Sequence, residues 1–139
     1  MPSHLHLLLR EVVDEGVSRY LQRLLNSYAR YYNTRYHRSG PLFSGRFHAG
    51  HVPDTDLLLH VSRYIHLNPY SAGLVADPLA YQWSSLNEYI GQPTTSICRT
   101  DAILSITSAS EYRQFVLDHA DYARTLARIK TALLETISK

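Results

Sequence analysis

Apolar residues recur at two different spacings along this chain, and the spacings predict its elements. Leu5-His6-Leu7-Leu8-Leu9 is a short apolar run of the kind a buried strand carries. Glu11 to Gly16 reads as an acidic turn. Val17, Leu21, Leu24, Leu25 and Tyr28 then fall three and four residues apart, one apolar stripe of a helix running from about Ser18, its expected cap, to about Tyr36. Ser39-Gly40-Pro41 breaks the chain. Leu42 to Val52, with Gly45 and Gly50, reads as a loop leading into a short strand. Asp54 is a good N-cap for a second helix, Thr55 to Leu67, with Leu57, Leu58, Val61 and Ile65 on its apolar side and Pro69 as its stop. Asn68 to Val75 and Asp77-Pro78 form a structured connection. Tyr81-Gln82-Trp83-Ser84-Ser85 leads into a short helix ending near Gly91. Gln92 to Ser96 is a polar loop, and helices are expected at Asp101–Ile106, Ser110–Asp118 and Tyr122–Ile137.

Composition narrows the picture. A chain of 139 residues, 45% hydrophobic and 19% charged, is long enough for one folded domain with a single core. No apolar run approaches the roughly 20 residues of a membrane span, and the start lacks the pattern of a secretory signal. One cysteine, Cys98, excludes an internal disulfide and fits a reducing compartment. Tyrosine is in excess, eleven against three Phe and one Trp, and its flat ring with a polar tip suits cores, wet interfaces and base stacking alike.

The net charge of +2 hides an uneven distribution. Between Val17 and Pro53 stand Arg19, Arg23, Arg30, Arg35, Arg38 and Arg46, with no Asp or Glu. A one-sign stretch interleaved with Tyr and Phe reads either as a phosphate-tracking surface or as an ordinary solvated helix face. Within it, Gly45-Arg46-Phe47 combines a glycine, which lets backbone approach a phosphate, with a guanidinium, which grips phosphate in two parallel hydrogen bonds; a tight turn with a surface arginine is the plainer reading.

Two further patterns could carry chemistry. His4 and His6, two apart on a strand, share a face at roughly 6.5–7 Å along the backbone, within reach of one divalent cation; two ordinary surface or core histidines are the commoner reading of such a pair. Tyr64 and Asn68 lie one helical turn apart, and His60 extends that face backwards. A tyrosine hydroxyl can attack phosphorus, but with a usual pKa of about 10 it needs a metal or base nearby. A packing role is the alternative. His48, His51, His66 and His119 have no metal-like spacing. There is no phosphate-binding glycine loop, zinc-type cysteine pair or serine nucleophile elbow.

Four blocks, in order, resemble one family. Met1-Pro2-Ser3-His4-Leu5-His6-Leu7-Leu8 resembles the Met-Pro-Asn-His-Val-His-Leu-Leu signature of the REP-associated tyrosine transposases, a bacterial branch of the HUH single-strand transposase superfamily. Gly40-Pro41-Leu42-Phe43-Ser44-Gly45-Arg46-Phe47 is similar to the family's Gly-x-Leu-Phe-Gln-Gly-Arg-Tyr block. Arg63 to Pro69 with Ala72-Gly73-Leu74-Val75 is similar to its Tyr-Ile-x-x-Asn-Pro-x-x-Ala-Gly block, and Tyr81 to Ser85 with Tyr89 to its Tyr-x-Trp-Ser-Ser-x-x-x-Tyr block. The resemblance fades after about Ile106.

It implies an α+β chain: a ferredoxin-like nuclease domain over residues 1–92, followed by a helical extension over 93–139. It implies Tyr64 as nucleophile and His4, His6 and Asn68 as ligands of Mg²⁺ or Mn²⁺. It also implies the arginine stretch as a surface for hairpin-bearing single-stranded DNA. The reaction implied is cleavage beside a hairpin, leaving a 5′-phosphotyrosine and a free 3′-hydroxyl, in the bacterial cytoplasm at the nucleoid. Some superfamily members swap helices between subunits, so a homodimer is an option. Family members carry a strand and helix ahead of the His-hydrophobe-His strand, so the expectation is an N-terminally incomplete domain, from a misplaced start or a decayed gene. The alternative function is then a remnant that binds DNA without nicking it, and a third is a helical interaction protein.

Overall fold

The computed structural model describes residues 3–92 and 97–137, with side chains described up to residue 130. Met1, Pro2 and the expected loop beyond Gln92 lie outside the described residues. The helices are α1 (Gly16–Arg35), α2 (Thr55–Ser71), α3 (Leu86–Tyr89), α4 (Asp101–Leu104), α5 (Ala109–Leu117) and α6 (Ala120–Ile137), with a 3-10 turn at Pro78–Ala80. The chain forms two compact units, Leu7–His51 and Met1–His6 with Val52–Lys139.

Helix dominance is as expected, but the α+β architecture is not: no strand occurs among the described residues. Residues 4–12 are irregular backbone rather than a buried strand, and residues 46–53 are likewise irregular. The physical reason is pairing. A strand is stable only when a neighbour takes up its backbone N–H and C=O groups, and an apolar run with no such neighbour stays unpaired and solvated. Leu5 accordingly stands 63% exposed, where an interior position was expected.

In the first unit, α1 starts two residues before the expected cap. Glu15, in the left-handed region at φ 54°, occupies the cap position without a side-chain hydrogen bond. At the other end the Asn33 amide donates to the Gly40 carbonyl at 2.9 Å, tying the helix end to the turn that follows.

In the second unit, the Asp54 carboxylate accepts from the Leu57 N–H at 2.8 Å and caps α2 as expected. Pro69 does not stop the helix. It lies within it, and the last turn closes on glycine: the Gly73 N–H donates to Tyr70 C=O and the Leu74 N–H to Pro69 C=O, both at 3.0 Å, with Gly73 at φ +73°. That is a Schellman cap, and its left-handed residue is the one type without a steric penalty there. Pro69 is tolerated because it is buried in the core at the start of this final turn.

The core joins Leu67 and Tyr70 of α2 to Leu86 and Tyr89 of α3, Ile103 of α4, Tyr112 and Val116 of α5 and Ala120 of α6. It therefore runs across residue 92 without a break. The buried face of α2 is only in part the one the apolar pattern picks out: Leu58 packs against the core and Val61 and Ile65 are half-buried. Ser62 and His66 are buried and Leu57 is exposed, because the polar pair is paired inside, as described next. α5 is fixed at its start by reciprocal capping, with Ser108 Oγ accepting from the Glu111 N–H and the Glu111 carboxylate accepting from the Ser108 N–H at 2.8 Å.

Candidate active site and its surroundings

α2 presents Tyr64 to solvent. The side chain is 60% exposed, although it sits on the helix that contributes most to the core. The opening segment meets it there. The His6 ring lies 5.8 Å from the Tyr64 ring, edge to face at 77°, and the His4 ring lies 4.9 Å from His6 at 89°. The His4 Nδ1 is 3.2 Å from the Ser3 hydroxyl. His6 is held below the ordinary histidine pKa, first by burial and then by the neighbouring His4 imidazole. It is thus neutral near pH 7, the form in which an imidazole ligates a metal.

The donor set can be tested against the implied ion. Two imidazoles sharing one ion at about 2.1 Å from each nitrogen hold their ring centres roughly 4.5–5.5 Å apart. The observed 4.9 Å falls inside that range. Asn68 is half-buried one turn beyond Tyr64 on α2, and its side-chain oxygen is a hard donor of the sort Mg²⁺ and Mn²⁺ take. No group of three His, Cys, Asp or Glu suited to a metal occurs among the described residues. The spacing of the two histidines fits such an ion, and Asn68 is of the donor type that would complete its shell.

The arginines expected to track phosphate divide differently. Arg19, Arg23, Arg30 and Arg35 are on α1, and Arg38 and Arg46 follow it in the same unit; all six are exposed. The Arg19 guanidinium donates to the Asp14 carbonyl. Arg38 stacks over the Tyr32 ring at 5.7 Å. Tyr28 stands 6.4 Å from Tyr31, 6.2 Å from Tyr32 and 6.2 Å from Phe43, and Tyr32 stands 4.5 Å from Tyr36. A shallow groove along α1 is lined by Asn26, Ala29, Arg30, Asn33 and Thr34. Arginine and exposed aromatic rings thus share one helix. Gly45, at φ +104°, gives Arg46 the turn its sequence suggests.

Two features of this unit of α2 escaped the sequence. One is His66, which has no metal-like spacing and no partner visible in sequence. Its Nδ1 is 2.8 Å from the Tyr112 hydroxyl, which is 2.5 Å from Ser62 Oγ, and its Nε2 is 3.0 Å from Ser85 Oγ. Burial pulls its pKa down to about 4 and pushes that of Tyr112 up. The other is Arg63, whose guanidinium lies 4.1 Å from the Phe115 ring centre and 2.9 Å from His60 Nδ1. Each has a partner on α5, 46 or 52 residues away, a separation that no local pattern reports.

The chain matches no protein-family model, no curated protein and no solved structure. No helix among the described residues is long and apolar enough to cross a membrane.

Proposed function

We propose that this chain processes single-stranded DNA in the manner of a REP-associated tyrosine transposase, with Tyr64 as the nucleophile. The observation that carries the reading is the meeting of the His4–His6 pair with the Tyr64 ring, two motifs sixty residues apart in sequence. Four sequence blocks in family order support it, as does a basic, tyrosine-rich helix in the same chain.

The chemistry follows from exposure and position. The Tyr64 phenol is open to solvent and to a strand laid across α2. Its oxygen forms the bond to phosphorus, the bond from phosphorus to the 3′ oxygen breaks, that oxygen takes a proton, and the phenolic proton passes to water. The phosphotyrosine linkage keeps the energy of the broken bond, so the strand can be rejoined. A divalent ion, Mg²⁺ or Mn²⁺, held by His4, His6 and Asn68 would polarise the phosphate and offset its charge. Neutral His6 suits that duty, and Asn68 is carried on the same helix as the nucleophile. The arginines of α1 and its following loop hold the hairpin through its phosphates, with the exposed tyrosines available to unpaired bases. The setting is the bacterial cytoplasm at the nucleoid, and a homodimer is compatible with the family.

A second reading is a DNA-binding remnant without nicking activity. It is favoured by the exposure of Leu5 beside the two histidines, which rest on unpaired backbone rather than on a sheet. One experiment separates them. The chain is incubated with hairpin-bearing single-stranded DNA and Mg²⁺ or Mn²⁺, then denatured and examined by mass spectrometry for a covalent adduct. The transposase reading expects an adduct that Tyr64→Phe abolishes. No adduct, or one that survives in Tyr64→Phe, removes it; salt-sensitive hairpin binding without adduct leaves the remnant reading.

A further inference from the structure

Arg63 is the neighbour of Tyr64 on α2, and its environment is unlike that of the other arginines. Its guanidinium is stacked over Phe115 at 4.1 Å, donates from Nη2 to His60 Nδ1 at 2.9 Å and points Nη1 at the Phe115 carbonyl at 3.5 Å. Three groups from two helices thus fix the plane of one cation. His60 in turn packs against Phe115 at 5.7 Å. His119, which follows α5, shares this neighbourhood. Burial lowers its pKa first, and the Arg63 guanidinium and the His60 side chain lower it further.

No carboxylate among the described residues forms an ion pair with the group. The one ion pair among the described residues is Arg99 with Asp101. Asp118, beside His119 in sequence, accepts instead from the Gln114 amide at 2.5 Å. A guanidinium locked by an aromatic face, bonded to the His60 imidazole and lacking a carboxylate partner among the described residues, is arranged for an oxyanion. The fork of N–H donors matches phosphate oxygens, and the fixed plane removes the entropy a free arginine loses on binding.

We propose that His60, Arg63 and His119 form a phosphate-binding site, occupied in function by a phosphodiester flanking the one that Tyr64 attacks. The phosphate chemistry stands on this geometry alone; the assignment of that phosphate to DNA rests on the nucleic-acid reading above. Arg63 here is a binding and positioning residue. Its role is to fix one point of the strand so that the next linkage reaches the exposed phenol.

The test uses the full chain and inorganic phosphate, with ionic strength held constant by chloride. Nitrogen-detected NMR follows the imidazoles of His60 and His119 and the Arg63 Nε. Saturable shifts in all three are expected, with affinity weakened about tenfold or more in Arg63→Gln. His119→Gln, which leaves the Arg63–Phe115 stack intact, is expected to weaken binding less. Phosphate that leaves the three side chains unmoved, or that binds both variants like the wild type, overturns the site. The DNA assignment is read separately, with single-stranded oligonucleotides carrying one neutral methylphosphonate linkage at successive positions. One position is expected to weaken binding to the wild type and to make no difference to Arg63→Gln. Phosphate binding without any DNA affinity sinks the nucleic-acid reading and leaves the oxyanion site. A covalent DNA adduct formed by a chain whose His60, Arg63 and His119 ignore phosphate sinks the oxyanion site alone.

Discussion

The Tyr112 hydroxyl lies 2.8 Å from Nδ1 of His66, and both residues are buried, at 0% and 3% exposure. Ser62 completes the pair on one side and Ser85 on the other, so three polar side chains from α2 and α5 and one preceding α3 are satisfied inside an otherwise apolar core. Two proton arrangements close the network: Ser62 donates to Tyr112, Tyr112 to Nδ1 and Nε2 to Ser85, or all three bonds run the other way with the proton on Nδ1. A buried network of this kind is stabilising while every member is paired and costly when one is removed.

The first prediction is an acid sensitivity traceable to His66. Its pKa in the native state is about 4, against about 6.5 for a free imidazole. The native state therefore binds this proton less readily than the unfolded chain does. The stability contribution is fully present above pH 6.5, falls as pH drops from 6.5 to 4, and changes no further below that. The loss amounts to about 3 kcal/mol. Urea unfolding at a series of pH values checks it. His66→Gln should be less stable at neutral pH and show a shallower decline between pH 6.5 and 4; an unchanged slope would refute the assignment to His66.

Tyr112→Phe removes only the hydroxyl and leaves Ser62 and the Nδ1 of His66 without their partner. A destabilisation of about 1–3 kcal/mol is expected, seen as a lower urea midpoint with an unchanged slope. Tyr64→Phe, at an exposed position, should shift the midpoint by no more than about 0.5 kcal/mol. Equal losses in the two variants would mean that the Tyr112 hydroxyl is not the stabilising group.

These two residues also mark how far the sequence could be read. The helices were legible because their signals are local: Asp54 caps α2, Gly91 follows α3, and three- and four-residue spacing traces α1, each within a turn or two of chain. The strand at Leu5–Leu9 was misjudged because an apolar run is only half of a strand; the other half is a neighbour. The apolar pattern of α2 misses the most deeply buried positions for a related reason. Apolarity alone ranks Leu57 above His66, whereas Tyr112, 46 residues on, reverses the order by pairing the imidazole. His4, His6 and Tyr64 were found through motif resemblance, and their meeting depends on tertiary structure.

Gly73→Ala should cost about 1–2 kcal/mol. The residue sits at φ +73°, and a methyl group built there meets nothing within 4 Å. The whole penalty is thus backbone strain, and Gly73→Asn, which tolerates the left-handed region better, should cost less. Thermal unfolding of the two variants checks the order; a larger loss for Asn would point to crowding instead.

The arginine surface of α1 makes a prediction in salt. Binding of single-stranded DNA should weaken linearly on a log–log plot, and each phosphate contact removed should reduce the slope by roughly 0.7. Replacing Arg23 and Arg30 together with Gln should therefore lower it by about 1.4 if both touch the backbone. An unchanged slope with unchanged affinity would remove these two residues from the interface.

Pro69 lies five residues beyond Tyr64 and has no N–H to offer the carbonyl of Ile65. The helical ladder thus misses a rung one residue past the exposed phenol. Beyond that gap α2 is secured by the burial of Pro69 and Tyr70 and by the glycine cap, not by its own continuous bonding. Order around Tyr64 is accordingly borrowed from the interior: backbone amides on the far side of the gap should exchange with solvent only as fast as the core itself opens, so that melting the core and loosening the nucleophile's footing become one event.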